Sequence, residues 1–250
     1  MEQIFFAMLI LFLASMTQAM IGFAFNLLAI PLLIWVGFSL PEAVVLTVIP
    51  IFVQLVTNAW RLRDAIVWRD VAWPVLIRYL TLPIGIGLLH ALSQLDTTLI
   101  KQWVGGMLLV ILAVEAFATF QPRENLPLRW SILAFGLSGV MLGMLGMGGP
   151  PVVLWLMAHN WAPRRTRAFI TTVFLFASPV QVGLLYWQFG THLLESFVLG
   201  ISATPVVIAG ALIGGTIGNG FDTEKLRRAV MLFLFLTALI SIASPYLQGS

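Results

Sequence analysis

Eight apolar runs divide the chain, at about 3–36, 41–60, 70–92, 97–119, 129–158, 165–189, 193–218 and 226–246, with only short polar or Pro/Gly punctuation between them. One helical crossing of a bilayer takes about 20 residues, so six of the runs each predict one spanning helix. The first and fifth are too long for one crossing and too short for two. Each also has a centre that helices avoid: Thr17-Gln18-Ala19-Met20-Ile21-Gly22-Phe23-Ala24-Phe25-Asn26 in the first and Gly143-Met144-Leu145-Gly146-Met147-Gly148-Gly149-Pro150-Pro151 in the fifth. The pattern predicts an all-α integral membrane protein of about eight main helical segments, with segments 3–36 and 129–158 broken or re-entrant.

Composition agrees. The 250 residues are 60% hydrophobic and only 9% charged, with a mean hydropathy of +1.01, where a soluble domain has about 25% charged residues. Little chain remains for an extramembrane catalytic domain. The absence of cysteine removes disulfides, thiolate catalysis and Cys-ligated metals. No Walker loop, dinucleotide fingerprint or nucleophile elbow occurs, which argues against an ATP-driven pump. His90, His159 and His192 lack metal-ligand spacing. Neither an enzyme nor a bound cofactor or metal is expected. Met1-Glu2-Gln3 precedes its apolar run without Lys or Arg, unlike a cleavable signal peptide, so the first segment reads as part of the fold. Several of the nine Trp, among them Trp60, Trp68, Trp73 and Trp130, fall at run ends as an interfacial belt does.

The two unusual segments hold equivalent places in a duplicated chain. Glu42-Ala43-Val44-Val45-Leu46-Thr47 matches Arg167-Ala168-Phe169-Ile170-Thr171-Thr172 at an offset of 125, Asp96-Thr97 matches Asp222-Thr223 at 126, and Gly22 matches Gly146 at 124. Repeats of about 1–120 and 121–250 follow. Charge then orients them, because Lys and Arg mark one face. If all eight segments crossed once, the loop clusters would split 5 and 6 between the faces. If the first and fifth return to the side they entered, 11 basic residues share one face, Lys101 lies on the other and Arg78 is left inside. The second topology turns the halves upside down relative to each other, an inverted repeat of the kind secondary transporters use.

Irregular backbone at membrane depth survives only inside protein or beside a wet cavity, and helix N-termini exposed at breaks attract anions. Gly22, Phe23 and Asn26 in the first break, and Gly146, Gly148, Gly149 and Pro150 in the second, are therefore candidate binding positions. Asn26 stands where Pro150 stands in the other half. The same glycines could simply allow close helix packing. Beyond the breaks, Thr47, Gln54 and Asn58 share one helical stripe, as do Thr171, Ser178 and Gln181. These are candidates to line a shared polar cavity, or interhelical hydrogen-bond glue. Arg78, flanked by Leu76-Ile77 and Tyr79-Leu80, costs at least about 2.5–3.5 kcal/mol at mid-membrane. It is either a fixed positive charge for an anion or a side chain snorkelling toward Arg69. Glu115 near a span end is read as snorkelling or paired.

The run Gln18-Ala19-Met20-Ile21-Gly22-Phe23-Ala24-Phe25-Asn26-Leu27-Leu28-Ala29-Ile30-Pro31-Leu32-Leu33, together with Leu145-Gly146-Met147-Gly148-Gly149-Pro150-Pro151-Val152-Val153-Leu154 and the later Arg165-Thr166-Arg167-Ala168, resembles the sulfite exporter TauE/SafE family of membrane transporters. The first break has Ala24 where many relatives carry glycine. The resemblance implies a multi-pass protein of the bacterial inner membrane that exports small sulfur-containing anions, such as sulfite or organosulfonates, coupled to a proton or sodium gradient. The residues themselves point to an anion at the midplane without singling out sulfur. A passive anion channel and a transporter of another small organic anion remain the alternatives. No nucleic-acid partner is expected.

Overall fold

The computed structural model describes residues 2–21, 24–117, 127–218 and 223–247. The described residues form ten α-helices and two 3-10 turns, with no strand. The eight runs become ten helices because the first and fifth each split in two. They are α1 (Glu2–Ile21), α2 (Phe25–Val36), α3 (Leu40–Arg61), α4 (Trp68–Ser93), α5 (Thr97–Phe117), α6 (Leu128–Leu145), α7 (Gly149–Met157), α8 (Pro163–Phe189), α9 (Leu194–Ile217) and α10 (Thr223–Leu247). Seven stretches are long and apolar enough to cross a membrane, α8 and α9 counting as one continuous run. The remaining two helices are short, α2 with 12 residues and α7 with 9.

Local chemistry places the boundaries. Before α3, the Ser39 N–H and hydroxyl both donate to the Glu42 carboxylate at 2.7 Å, and Pro41 sits in the first turn, where no N–H is needed. α6 ends where Gly146 adopts φ 66°. At the other break Ala24 takes the left-handed conformation, φ 84°, which costs a residue with a Cβ about 1–2 kcal/mol.

Both broken segments are hairpins. Trp155 of α7 donates from Nε1 to the Ser131 hydroxyl at the start of α6, 3.0 Å away, so α7 runs back along α6. A methyl placed on Gly37, just past α2, would lie 3.6 Å from the Gln3 side chain of α1, so α2 likewise returns beside the start of α1. Close crossings fix other directions. Gly139 approaches Arg78, while Gly143 meets Leu82, Gly85 and Ile86, making α4 and α6 parallel neighbours. Gly210, Gly214 and Gly218 of α9 lie against Phe12, Met16 and Met20 of α1 in the same rising order. α5 and α10 are antiparallel, with Gly105 against Ala238 and Ser241 at one end and Arg227 bonded to Glu115 at 2.9 Å at the other.

These contacts also gather the charges. Arg164 at the start of α8 pairs with Asp64 in the α3–α4 turn at 2.7 Å, and Arg165 pairs with Asp70 on α4. Arg61, Arg63, Arg69, Arg129, Arg164, Arg165, Arg167, Lys225, Arg227 and Arg228 therefore occupy one end of the bundle. Lys101 lies at the opposite end, its ammonium 4.5 Å from the Trp35 ring centroid. Arg123, expected with the basic group, falls outside the described residues. Accordingly α1, α3, α5 and α9 run toward the basic end, and α4, α6, α8 and α10 run away from it.

Candidate functional site

The last turns of α6 and the break into α7 lie at the centre of the bundle, held by side chains from three other helices. Arg78, ten residues into α4 and thus about 15 Å along its axis, is fully buried. Its Nη2 donates to the Ser138 hydroxyl and to Gly148 O at 3.2 Å. The Ser138 hydroxyl donates to the same carbonyl. The guanidinium carbon sits 4.0 Å from the ring centroid of Phe174 on α8. Among the described residues no carboxylate pairs with Arg78, and its Nε and Nη1 are buried without a partner. Arg78 therefore does not snorkel. Each unmet buried donor costs about 1–3 kcal/mol, and an oxyanion supplies what these two lack.

Asn26, in the first turn of α2, donates from Nδ2 to Gly146 O and brings the two breaks into contact. A methyl on Gly146 would lie 3.4 Å from that amide nitrogen and 3.8 Å from the Thr47 hydroxyl, which itself bonds Val44 O at 2.9 Å. Gln181 of α8, 1% exposed, donates from Nε2 to Leu142 O at 2.9 Å. The amide oxygens of both Asn26 and Gln181 are buried and unpartnered. Ser178 is buried and bonds Phe174 O at 2.8 Å, bracing the turn that carries the aromatic ring over Arg78. Beside Gly149 a methyl would meet nothing within 4 Å.

Several expected positions stand apart. Gln54 donates to the Ser15 hydroxyl at 3.1 Å, and Ser15 donates to Val207 O at 2.6 Å. That is a second polar cluster, among α1, α3 and α9. Asn58 is exposed and is not brought to the breaks. Thr171 is buried on α8, ten residues before Gln181 on the same helix. Gly22 and Phe23 lie outside the described residues. The backbone donors expected across Gly146–Pro150 are fewer than the glycines suggest. Gly146 N–H is engaged by Leu142 O at 2.9 Å and Met147 N–H by Met141 O at 3.3 Å, and Pro150 has no N–H to offer. Arg78 adds two unpartnered side-chain donors beside them.

Sequence reasoning missed Ser138 and Phe174. Ser138 carried a faint signal as a lone hydroxyl within an apolar stretch near the break, whereas Phe174 carried none. Glu115 is paired, as expected, with Arg227. Outside the spans, Arg164 donates to Asp64, and that hydrogen bond holds the Asp64 carboxyl below the usual carboxylate range.

Seven stretches long and apolar enough to cross a bilayer make this chain a multi-pass membrane protein, and its family makes it a transporter. It belongs to the sulfite exporter TauE/SafE family, whose model matches residues 7–240, and that family is one of transporters and not of enzymes. A curated relative named probable sulfite/organosulfonate exporter TauE, from Cupriavidus necator, is 28% identical over 218 residues, which is 84% of this chain and 82% of that protein. No solved structure matches the present chain.

Proposed function

We propose that the protein exports small sulfur-containing anions, sulfite or organosulfonates, across the bacterial inner membrane, with the anion bound between the two broken hairpins at Arg78. The single observation that carries this reading is a fully buried guanidinium with two unpartnered nitrogens and, among the described residues, no acid beside it, next to a helix break joined to its counterpart by Asn26 and Gly146. The family and the named function of the Cupriavidus relative supply the sulfur.

The halves 1–120 and 121–250 act as inverted repeats in this reading. Support comes from helix direction: α1, α3 and α5 run toward the basic end, and their counterparts α6, α8 and α10 run away from it. The packing of α1 on α9 and of α4 on α6 exchanges under the same correspondence. The basic end faces the cytoplasm by the positive-inside rule. Complete burial of Arg78 speaks for an occluded carrier over an open channel, with alternating access moving one hairpin-bearing unit against the other.

The test is sulfite flux in proteoliposomes. Arg78→Met abolishes uptake while Arg167→Ala, on the exposed basic end, retains most of it. Equal, mild losses in both overturn the assignment of the anion to Arg78.

A further inference from the structure

The centre of the bundle has an uneven supply of charge and hydrogen bonds. Arg78 is the only fully buried charged side chain among the described residues, so the site offers one positive charge. It also offers acceptors. The Asn26 and Gln181 side-chain oxygens are buried and unpartnered, and their orientation follows from chemistry. Gly146 O and Leu142 O can only accept, so the NH2 of each amide must face them, and the oxygen of each amide is turned elsewhere. An amide oxygen can only accept in its turn. Together with Arg78 and Ser138 these groups border one stretch of chain, from Ser138 to Gly148.

Resting on the anion site assigned above to Arg78, we propose that its ligand is a monoanion carrying its own hydrogen-bond donor: a protonated oxyanion such as hydrogen sulfite, or a sulfonate bearing a hydroxyl group. The guanidinium neutralises the single charge and satisfies oxyanion oxygens through Nε and Nη1. One of the two amide oxygens, Asn26 Oδ1 or Gln181 Oε1, accepts from the ligand's single O–H. A dianion such as sulfate leaves a net negative charge buried without a counterion, which is costly in low dielectric. An anion made only of acceptors leaves both amide oxygens unsatisfied and turns lone pairs toward them. Sites that hydrogen-bond a ligand hydroxyl discriminate strongly against the analogue lacking it, because their buried groups are then unpaired.

The experiment is calorimetry on the full-length purified protein with three probes: 2-hydroxyethanesulfonate, ethanesulfonate and sulfate. The expected result is that the hydroxylated sulfonate binds about tenfold more tightly than ethanesulfonate, a difference of about 1.4 kcal/mol, with sulfate weakest. In whichever of Gln181→Met and Asn26→Leu removes the accepting oxygen, the ratio between the two sulfonates falls toward one, with melting temperatures reporting that each variant is folded; an unchanged ratio in both folded variants overturns the proposal. Equal affinities for the two sulfonates in the unaltered protein overturn the proposal without recourse to any variant, as does tightest binding of sulfate. Either result leaves the anion site itself standing if Arg78→Met still abolishes binding. Absence of any anion binding, or affinity indifferent to Arg78→Met, removes the site and this proposal together.

Discussion

Gly143→Ala tests whether the close crossing of α4 and α6 is what positions Arg78. A methyl there would lie 2.7 Å from Leu82 O, 2.9 Å from Gly85 Cα and 2.9 Å from Ile86 N. All three are backbone atoms, so no side-chain rotation relieves the overlap. The helices must separate by several tenths of an ångström along a seam where close approach supplies the packing energy. Overpacking of this kind costs about 1–3 kcal/mol, offset by less than about 1 kcal/mol from the better helix propensity of alanine. The same seam carries the Arg78–Ser138 hydrogen bond, so separation loosens the guanidinium as well. Gly87, on the partner helix α4 with nothing within 4 Å of its added methyl, is the control. The expected outcome is a lower melting temperature and weaker anion binding for Gly143→Ala, with Gly87→Ala equal to or more stable than the unaltered protein. A chain of this size responds by about 2–4 °C per kcal/mol, which is readily measured in detergent. If Gly143→Ala melts and binds like the unaltered protein, the packing argument is wrong.

Two further outcomes follow from the backbone and the basic end. Ala24→Gly relieves the left-handed strain at φ 84° and raises the melting temperature slightly, whereas Gly146→Val, at φ 66° with its added Cβ 3.0 Å from Ile30 Cδ1, lowers it. The Asp64 carboxyl is held below its ordinary range by Arg164, so its contribution is present above the unfolded carboxylate range and is lost as pH falls through the depressed folded value. Because Asp64 is exposed, Asp64→Asn should alter the acid limb of a melting-versus-pH curve only slightly and leave its neutral plateau intact. A large loss at neutral pH would contradict this.

The helices and both breaks were legible in the residues because twenty apolar positions in a row have few alternatives and because Gly-Gly-Pro-Pro cannot continue a helix. The charge count also carried real information. Arg61, Arg164 and Lys225 share an end of the bundle, as they do only if both unusual segments turn back. The interior was less legible. Helical stripes put Gln54 and Asn58 with Thr47, yet a stripe about 16 Å long passes out of one environment into another, and Gln54 bonds Ser15 while Asn58 reaches the surface. Counting glycines overstated the free amides, since folding back lets Leu142 O and Met141 O take two of them. Ser138 and Phe174 join Arg78 from different helices, and neighbourhood across helices has no periodicity to read.

Asn26, Gln181 and Arg78 come from α2, α8 and α4, and they hold Gly146 O, Leu142 O and Gly148 O respectively. The bend between α6 and α7 is thus moored at three points, two of them, Asn26 and Arg78, in the opposite half of the chain from the bend. Whatever arrives there and draws Arg78 off its carbonyl slackens one mooring while the other two keep the bend in place. In the proposed export reading, a ligand that draws Arg78 off Gly148 O would loosen the tie to α4 alone, and α2 and α8 would stay fastened to the bend.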